Sequence, residues 1–203
     1  FRNDSTFFFN LVQCRPLQTR GLGKNIEIPK LDSKEECLFY SEGNFMGGNL
    51  RIPVDKIIFV DIHEYLEMPE QEKYQVARYI GKLNQILKNQ NVLLMGPGRW
   101  GTTTPSLGVP VHFTEISHMA AICEISYQDE GLMPELSYGS HFFQDLVESG
   151  VFYIALFKEQ KNVVFHEEML KKENLLANYI SEAEDYKKCI QVLDTKGMEL
   201  YSD

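Results

Sequence analysis

Apolar residues recur along the chain with two periods. Over 69–88, Val76, Ile80, Leu83 and Leu87, flanked by Tyr79 and Ile86, follow helical spacing with Glu, Lys and Gln opposite, so this stretch is an amphipathic helix with Pro69 in its first turn. Short, almost wholly apolar runs at 56–62, 92–95 and 151–157 have the length and β-branched content of strands buried in a sheet. Strands are also expected at 7–15, 37–41 and 119–127, the last with alanines that leave helix open. Strand 56–62, helix 69–88 and strand 92–95 form a βαβ unit, which brings parallel pairing into the sheet. Ser140 caps a helix over 141–148, where Phe142/Leu146 and Phe143/Val147 are i, i+4 pairs and Gly150 is the stop. The charged run 169–186 is helix-prone, and 189–193 and 198–201 flank Lys196-Gly197 as in a terminal hairpin. The expected class is α/β, a mixed β-sheet with flanking helices and no internal repeat.

Composition narrows this picture. A chain of 203 residues, 43% hydrophobic and 24% charged, buries a substantial core and is not intrinsically disordered. A net charge of −9 disfavours a general nucleic-acid binder. Charge is nevertheless segregated: residues 1–30 hold five basic and two acidic residues, +3, which leaves −12 on the rest. Cys14, Cys37, Cys123 and Cys189 lie far apart without a C-x-x-C pair, as in a reduced, cytoplasmic protein. No apolar run approaches the roughly 20 residues of a membrane span, so no membrane partner is expected. The chain starts at Phe1 without methionine or a signal-peptide layout, so a fragment of a longer protein is expected.

Candidate chemistry concentrates in two clusters. The first, 94–108, follows a predicted buried strand, where α/β sheets carry ligand loops. Gly96, Gly98 and Gly101 let backbone N–H groups approach an oxyanion, Arg99 offers a bidentate fork, and Thr102, Thr103 and Thr104 supply hydroxyls. It matches neither the P-loop nor the dinucleotide fingerprint. The competing reading is a tight connection in which Trp100 plugs the core and Arg99 makes a salt bridge. The second cluster, 137–144, places Ser140 and His141 at a helix N-terminus that favours an anion, and is equally read as a well-capped helix. If the clusters meet, Arg99 and His141 flank one anion-sized pocket, unless a buried carboxylate such as Glu124 completes it. His63, His112, His118 and His166 lack metal-ligand spacing, so no metal site is expected.

Several stretches resemble one family. Gln13-x-Arg15 followed by a linker resembles the closing strand of the ATP-grasp nucleotide-binding domain in the phosphoenolpyruvate synthase and pyruvate phosphate dikinase family. Gly96-Pro-Gly-Arg-Trp-Gly101, Pro105-Ser-Leu-Gly108 and 139–146 (Gly-Ser-His-Phe-Phe-Gln-Asp-Leu) resemble the C-terminal region of bacterial proteins with that PEP/pyruvate-binding, dikinase-type domain. The resemblance implies that 1–30 is the end of an ATP-grasp domain plus linker, with Gln13 and Arg15 at the ATP site, and that 31–203 is a C-terminal α/β domain. It implies a parent ATP-dependent phosphotransferase, a kinase-type transferase using ATP and Mg with a small phosphorylated or carboxylate ligand. The family's metal-binding acidic residues would precede Phe1, so this fragment is expected to bind no cofactor tightly and to be inactive alone. Two alternatives stand beside it. One is a non-catalytic interaction or regulatory module with the 43–49 loop as partner face. The other is a phosphohistidine carrier, since 115–122 faintly resembles that family's Thr-Ser-His-Ala-Ala; His118 would be the nucleophile, but the segment lacks the expected glycines and reads as a packed strand or helix.

Overall fold

The computed structural model describes residues 26–29, 33, 36–43, 45–126, 136–137 and 140–202. The expected strand 7–15, with Gln13 and Arg15, lies outside the described residues.

Among the described residues, eight strands and four α-helices follow one another as β1 (Phe39–Ser41), β2 (Phe45–Met46), β3 (Leu50–Val60), α1 (Ile62–Glu67), α2 (Glu70–Ile86), β4 (Val92–Pro97), β5 (Ala121–Ser126), α3 (His141–Glu148), β6 (Phe152–Phe157), β7 (Val163–Phe165), α4 (Leu176–Tyr179) and β8 (Ile190–Ser202). Six strands form one mixed sheet in the order β2-β6-β5-β4-β3-β8, and β1 pairs with β7 in a separate antiparallel ribbon. The four central strands β3, β4, β5 and β6 are parallel, and the edge strands β2 and β8 are antiparallel to them. Because the parallel strands are neighbours in sequence order, crossovers of one hand carry every connection to one face. There α2 and α3 pack, together with Val109, Val111, Ile116 and Met119 of the β4–β5 connection. Strand alternation sends Ile58, Leu94, Ile122 and Tyr153 to that face and Ile57, Leu93, Cys123 and Ile154 to the other. Among the described residues the second face is covered by the ribbon, by Leu38 and Leu170, and by Ile62 and Leu66 of α1.

The βαβ unit is present as β3-α2-β4, with Ile57 beside Leu93 and Phe59 beside Met95. Helix α2 buries Val76, Ile80 and Leu83, the expected stripe, but Pro69 is its N-cap and lies just before its first turn. The strand expected to reach Ile62 ends at Val60, because the Asp61 side chain accepts from the Glu64 amide at 3.0 Å and starts α1. The expected long helix over 169–186 is broken into short turns around α4. Asn174 competes with it: its amide donates to Lys187 O and Ile190 O, and its oxygen accepts from the Leu176 and Val192 amides, each at 2.9–3.0 Å. The expected terminal hairpin is instead one strand, β8, running the length of β3. Register slips between Val54 and Lys56, where Lys196 (φ 45°) and Gly197 (φ 96°) bulge out instead of turning the chain back.

Candidate functional site

Both sequence clusters lie beyond the carboxyl ends of adjacent parallel strands. β4 runs into the first directly, and its loop is closed on itself: Arg99 N donates to Leu107 O at 2.9 Å and Gly101 N to Val109 O at 3.0 Å. From beneath, the buried Tyr65 hydroxyl lies 2.8 Å from Gly108 O and 3.1 Å from Pro105 O. Trp100 is fully buried and fills the core, as its competing reading held. Its ring needs Gly96 below it, since a Cβ there would lie 2.8 Å from Trp100 Cζ2.

The second cluster is set by α3. Ser140 is its N-cap, accepting from the Phe143 amide at 3.2 Å and donating to Ser137 O at 2.7 Å. His141 is exposed in the first turn. The Phe142 ring lies where a Cβ on Gly101 would come within 2.4 Å, and Gly101 has φ 72°. This close approach joins α3 to the β4 loop and excludes a side chain at 101 twice over.

Glu124 holds the clusters together. It sits on β5 between Gly96 of β4 and Ala155 of β6, whose small side chains leave space on the helix face. The carboxyl is fully buried. Oε1 accepts from the Trp100 amide at 2.9 Å, and Oε2 accepts from the Ser137 amide at 2.7 Å and the Tyr153 hydroxyl at 2.6 Å. The Ser137 hydroxyl touches Oε1 and lies 3.1 Å from Trp100 O. Burial pushes the Glu124 carboxyl above its usual 4.5, and the Ser137, Tyr153 and Trp100 donors offset part of that rise. The neutral form fits the geometry: a proton on Oε1 donates to Ser137 Oγ, whose own proton goes to Trp100 O.

The remaining expected residues divide. Arg99 is half-buried and leads from Gly98 into Trp100 at the mouth of this network. Thr102 is buried and engaged locally, its hydroxyl accepting from the Thr104 amide at 3.1 Å, whereas Thr103 and Thr104 are exposed. Trp100 Nε1 and Gln144 Oε1, one from each cluster, are buried without a hydrogen-bond partner among the described residues. Glu115 accepts from the His112 amide at 2.8 Å and pairs with Arg78 at 2.8 Å, a local brace. His118 is not in a packed strand or helix; it is exposed in the turn before β5, at the opposite end of the parallel strands from Arg99, its amide held by the buried Asn84 at 2.9 Å. No group of His, Cys, Asp and Glu among the described residues is arranged to hold a metal. Tyr153 was not singled out from sequence, although a polar tip inside the apolar run 151–157, like Glu124 inside 121–125, marks a buried hydrogen-bonding position.

The fold and this site define an α/β chain with a singly wound mixed sheet and a buried carboxyl at its carboxyl edge. Comparison with protein-family models, with curated proteins and with solved structures finds no match. No helix among the described residues is long and apolar enough to cross a membrane.

Proposed function

We propose that this chain is the carboxyl-terminal part of a dikinase-like, ATP-dependent phosphotransferase, and that its α/β domain binds a small phosphate or carboxylate anion between Arg99 and the first turn of α3. The observation that carries the reading is the Glu124 network. One buried side chain fixes the amide following Arg99 and, through Ser137 and the Ser140 hydroxyl, the cap of α3, so both clusters are held at the carboxyl ends of β4 and β5. Glu124 occupies the Trp100 and Ser137 donors itself. The Arg99 guanidinium, the exposed His141 ring and the first α3 amides are the groups this reading assigns to an external anion. On this reading ATP chemistry belongs to the amino-terminal domain, and the chain alone does not turn ATP over.

Titration with inorganic phosphate, pyrophosphate and phosphoenolpyruvate, followed by amide NMR, tests it. Shifts at 99–101 and 140–143, weakened about tenfold in Arg99→Ala with little change in stability, are expected. A stability loss of about 3 to 5 kcal/mol in Arg99→Ala, without anion-induced shifts in the parent chain, marks Arg99 as half of a structural pair and ends the proposal. The phosphotransferase context is tested by comparing ATP-dependent phosphoryl transfer by the longer protein with and without residues 31–203.

A further inference from the structure

The second face of the sheet carries a groove of about 570 Å3 between the β1 ribbon segment and the main sheet. Its floor is apolar, made by Ile57, Leu93, Ile154 and Leu200. Among the described residues its charged lining groups are three carboxylates, Glu36, Glu42 and Glu199. Glu199 is paired with Arg51 at 2.9 Å. Among the described residues, Glu42 accepts from uncharged groups, Tyr40 at 2.9 Å and Asn162 at 3.0 Å, and Glu36 has no side-chain partner. Two of the three charges therefore have no cation paired with them among the described residues. Part of the wall is a segment of peptide without regular structure, 26–29, which brings Ile28 and Pro29 to the groove, Ile28 half exposed.

We infer that this groove is a docking site for an extended segment of a partner protein that carries apolar side chains and one or more lysines or arginines. The apolar floor takes the side chains, as alternate pockets do for extended ligands. The rim selects the charge. A neutral or acidic segment closing over Glu36 and Glu42 strips water from two carboxylates without compensation, while a basic one completes them. The inference is independent of the anion site, which lies on the other face.

The test uses the whole chain and two synthetic probes, an acetylated hexapeptide alternating phenylalanine with lysine and its counterpart with glutamate for lysine. Amide NMR titration at low ionic strength should show the lysine peptide shifting Ile57, Ile154 and Leu200 and binding at least about tenfold more tightly than the glutamate peptide. The surface variant Glu36→Gln/Glu42→Gln should lose about tenfold in affinity for the lysine peptide with unchanged thermal stability, and added salt should weaken binding in parallel. Equal binding of both peptides would mean a purely apolar site and overturns the inference. So does the absence of groove shifts at about 1 mM peptide, concentration-dependent dimerisation through these residues, or nuclear Overhauser contacts from residues 1–25 to Ile154 in the peptide-free chain.

Discussion

The two faces of the sheet treat carboxyl groups in opposite ways. On the helix face, Glu124 is fully buried and meets donors from the β4 loop, Ser137 and Tyr153. On the other face, Glu36 and Glu42 stand at the rim of an apolar groove with water as their main solvent. The first arrangement stabilises only while its donors stay in place, because both the carboxyl and the amides it satisfies are cut off from solvent. The second costs the fold almost nothing and leaves charge available to a partner. A buried acid here is a device for holding loops; an exposed acid beside apolar surface is a device for choosing what binds.

Removing the central group breaks this contrast most severely. Glu124→Leu should destabilise the chain by about 3 to 5 kcal/mol, since it strands the Trp100 and Ser137 amides and the Tyr153 hydroxyl, whereas Glu36→Gln should change stability by less than about 0.5 kcal/mol. Urea denaturation of the two variants measures both. Glu124→Gln sharpens the comparison through pH. Burial raises the Glu124 carboxyl above 4.5, so the folded chain holds this proton more tightly than the unfolded chain does. The associated stability is fully present below about 4.5, the unfolded value, and is lost as pH rises through the folded value. The amide cannot lose a proton, so the gap between wild type and Glu124→Gln should narrow on going from acid to neutral pH. A gap that widens over that range would mean that the carboxylate is the favoured folded form.

Core packing comes next. Leu83→Ala on α2 should cost about 3 to 5 kcal/mol, because the helix face is closed around it and cannot collapse onto the space. Leu200→Ala, at the groove on the other face, should cost about 2 kcal/mol or less, since water or a neighbouring side chain reaches the gap. Equal losses would show that the two faces are equally closed. At the joint between the clusters, Gly101→Ala should cost about 2 to 3 kcal/mol, combining a left-handed φ of 72° with the Phe142 ring in the space of the new methyl group.

How far the sequence disclosed this molecule follows the same division. The helix face is read by long periods: the α2 stripe and the capped α3 span two to five turns and have one interpretation. The other face is covered in part by the ribbon of β1 and β7, each three residues long and too short for a period to register. Asp61 was hidden because a run apolar on both sides reads as one strand, although its side chain ends that strand by capping α1. Asn174 was hidden because three of its four hydrogen bonds reach backbone 13 to 18 residues away, a tertiary fact in a locally helix-prone run. At the candidate site, both clusters were legible as glycine-rich turns after strands. Their junction was not, since Glu124 and Tyr153 are apposed only by the β5–β6 register and the face they share.

The Lys196-Gly197 bulge separates backbone strain from packing and gives the smallest expected effects. At Gly101 a methyl group meets both a left-handed backbone and an aromatic ring; at Gly197 φ is 96° but nothing lies within 4 Å of a new Cβ. Gly197→Ala should therefore cost about 1 kcal/mol, the conformational penalty without the steric one. Lys196, at φ 45°, already bears such a penalty. Replacing it with glycine relieves about 1 to 2 kcal/mol of left-handed strain and gives back about 0.5 to 1 kcal/mol through the freer unfolded chain. The result for Lys196→Gly is a gain between zero and about 1.5 kcal/mol. Thermal unfolding of the two variants against Gly101→Ala orders them directly. If Gly197→Ala proved as damaging as Gly101→Ala, the bulge would have to be packed against something, and β8 would not lie open along that edge.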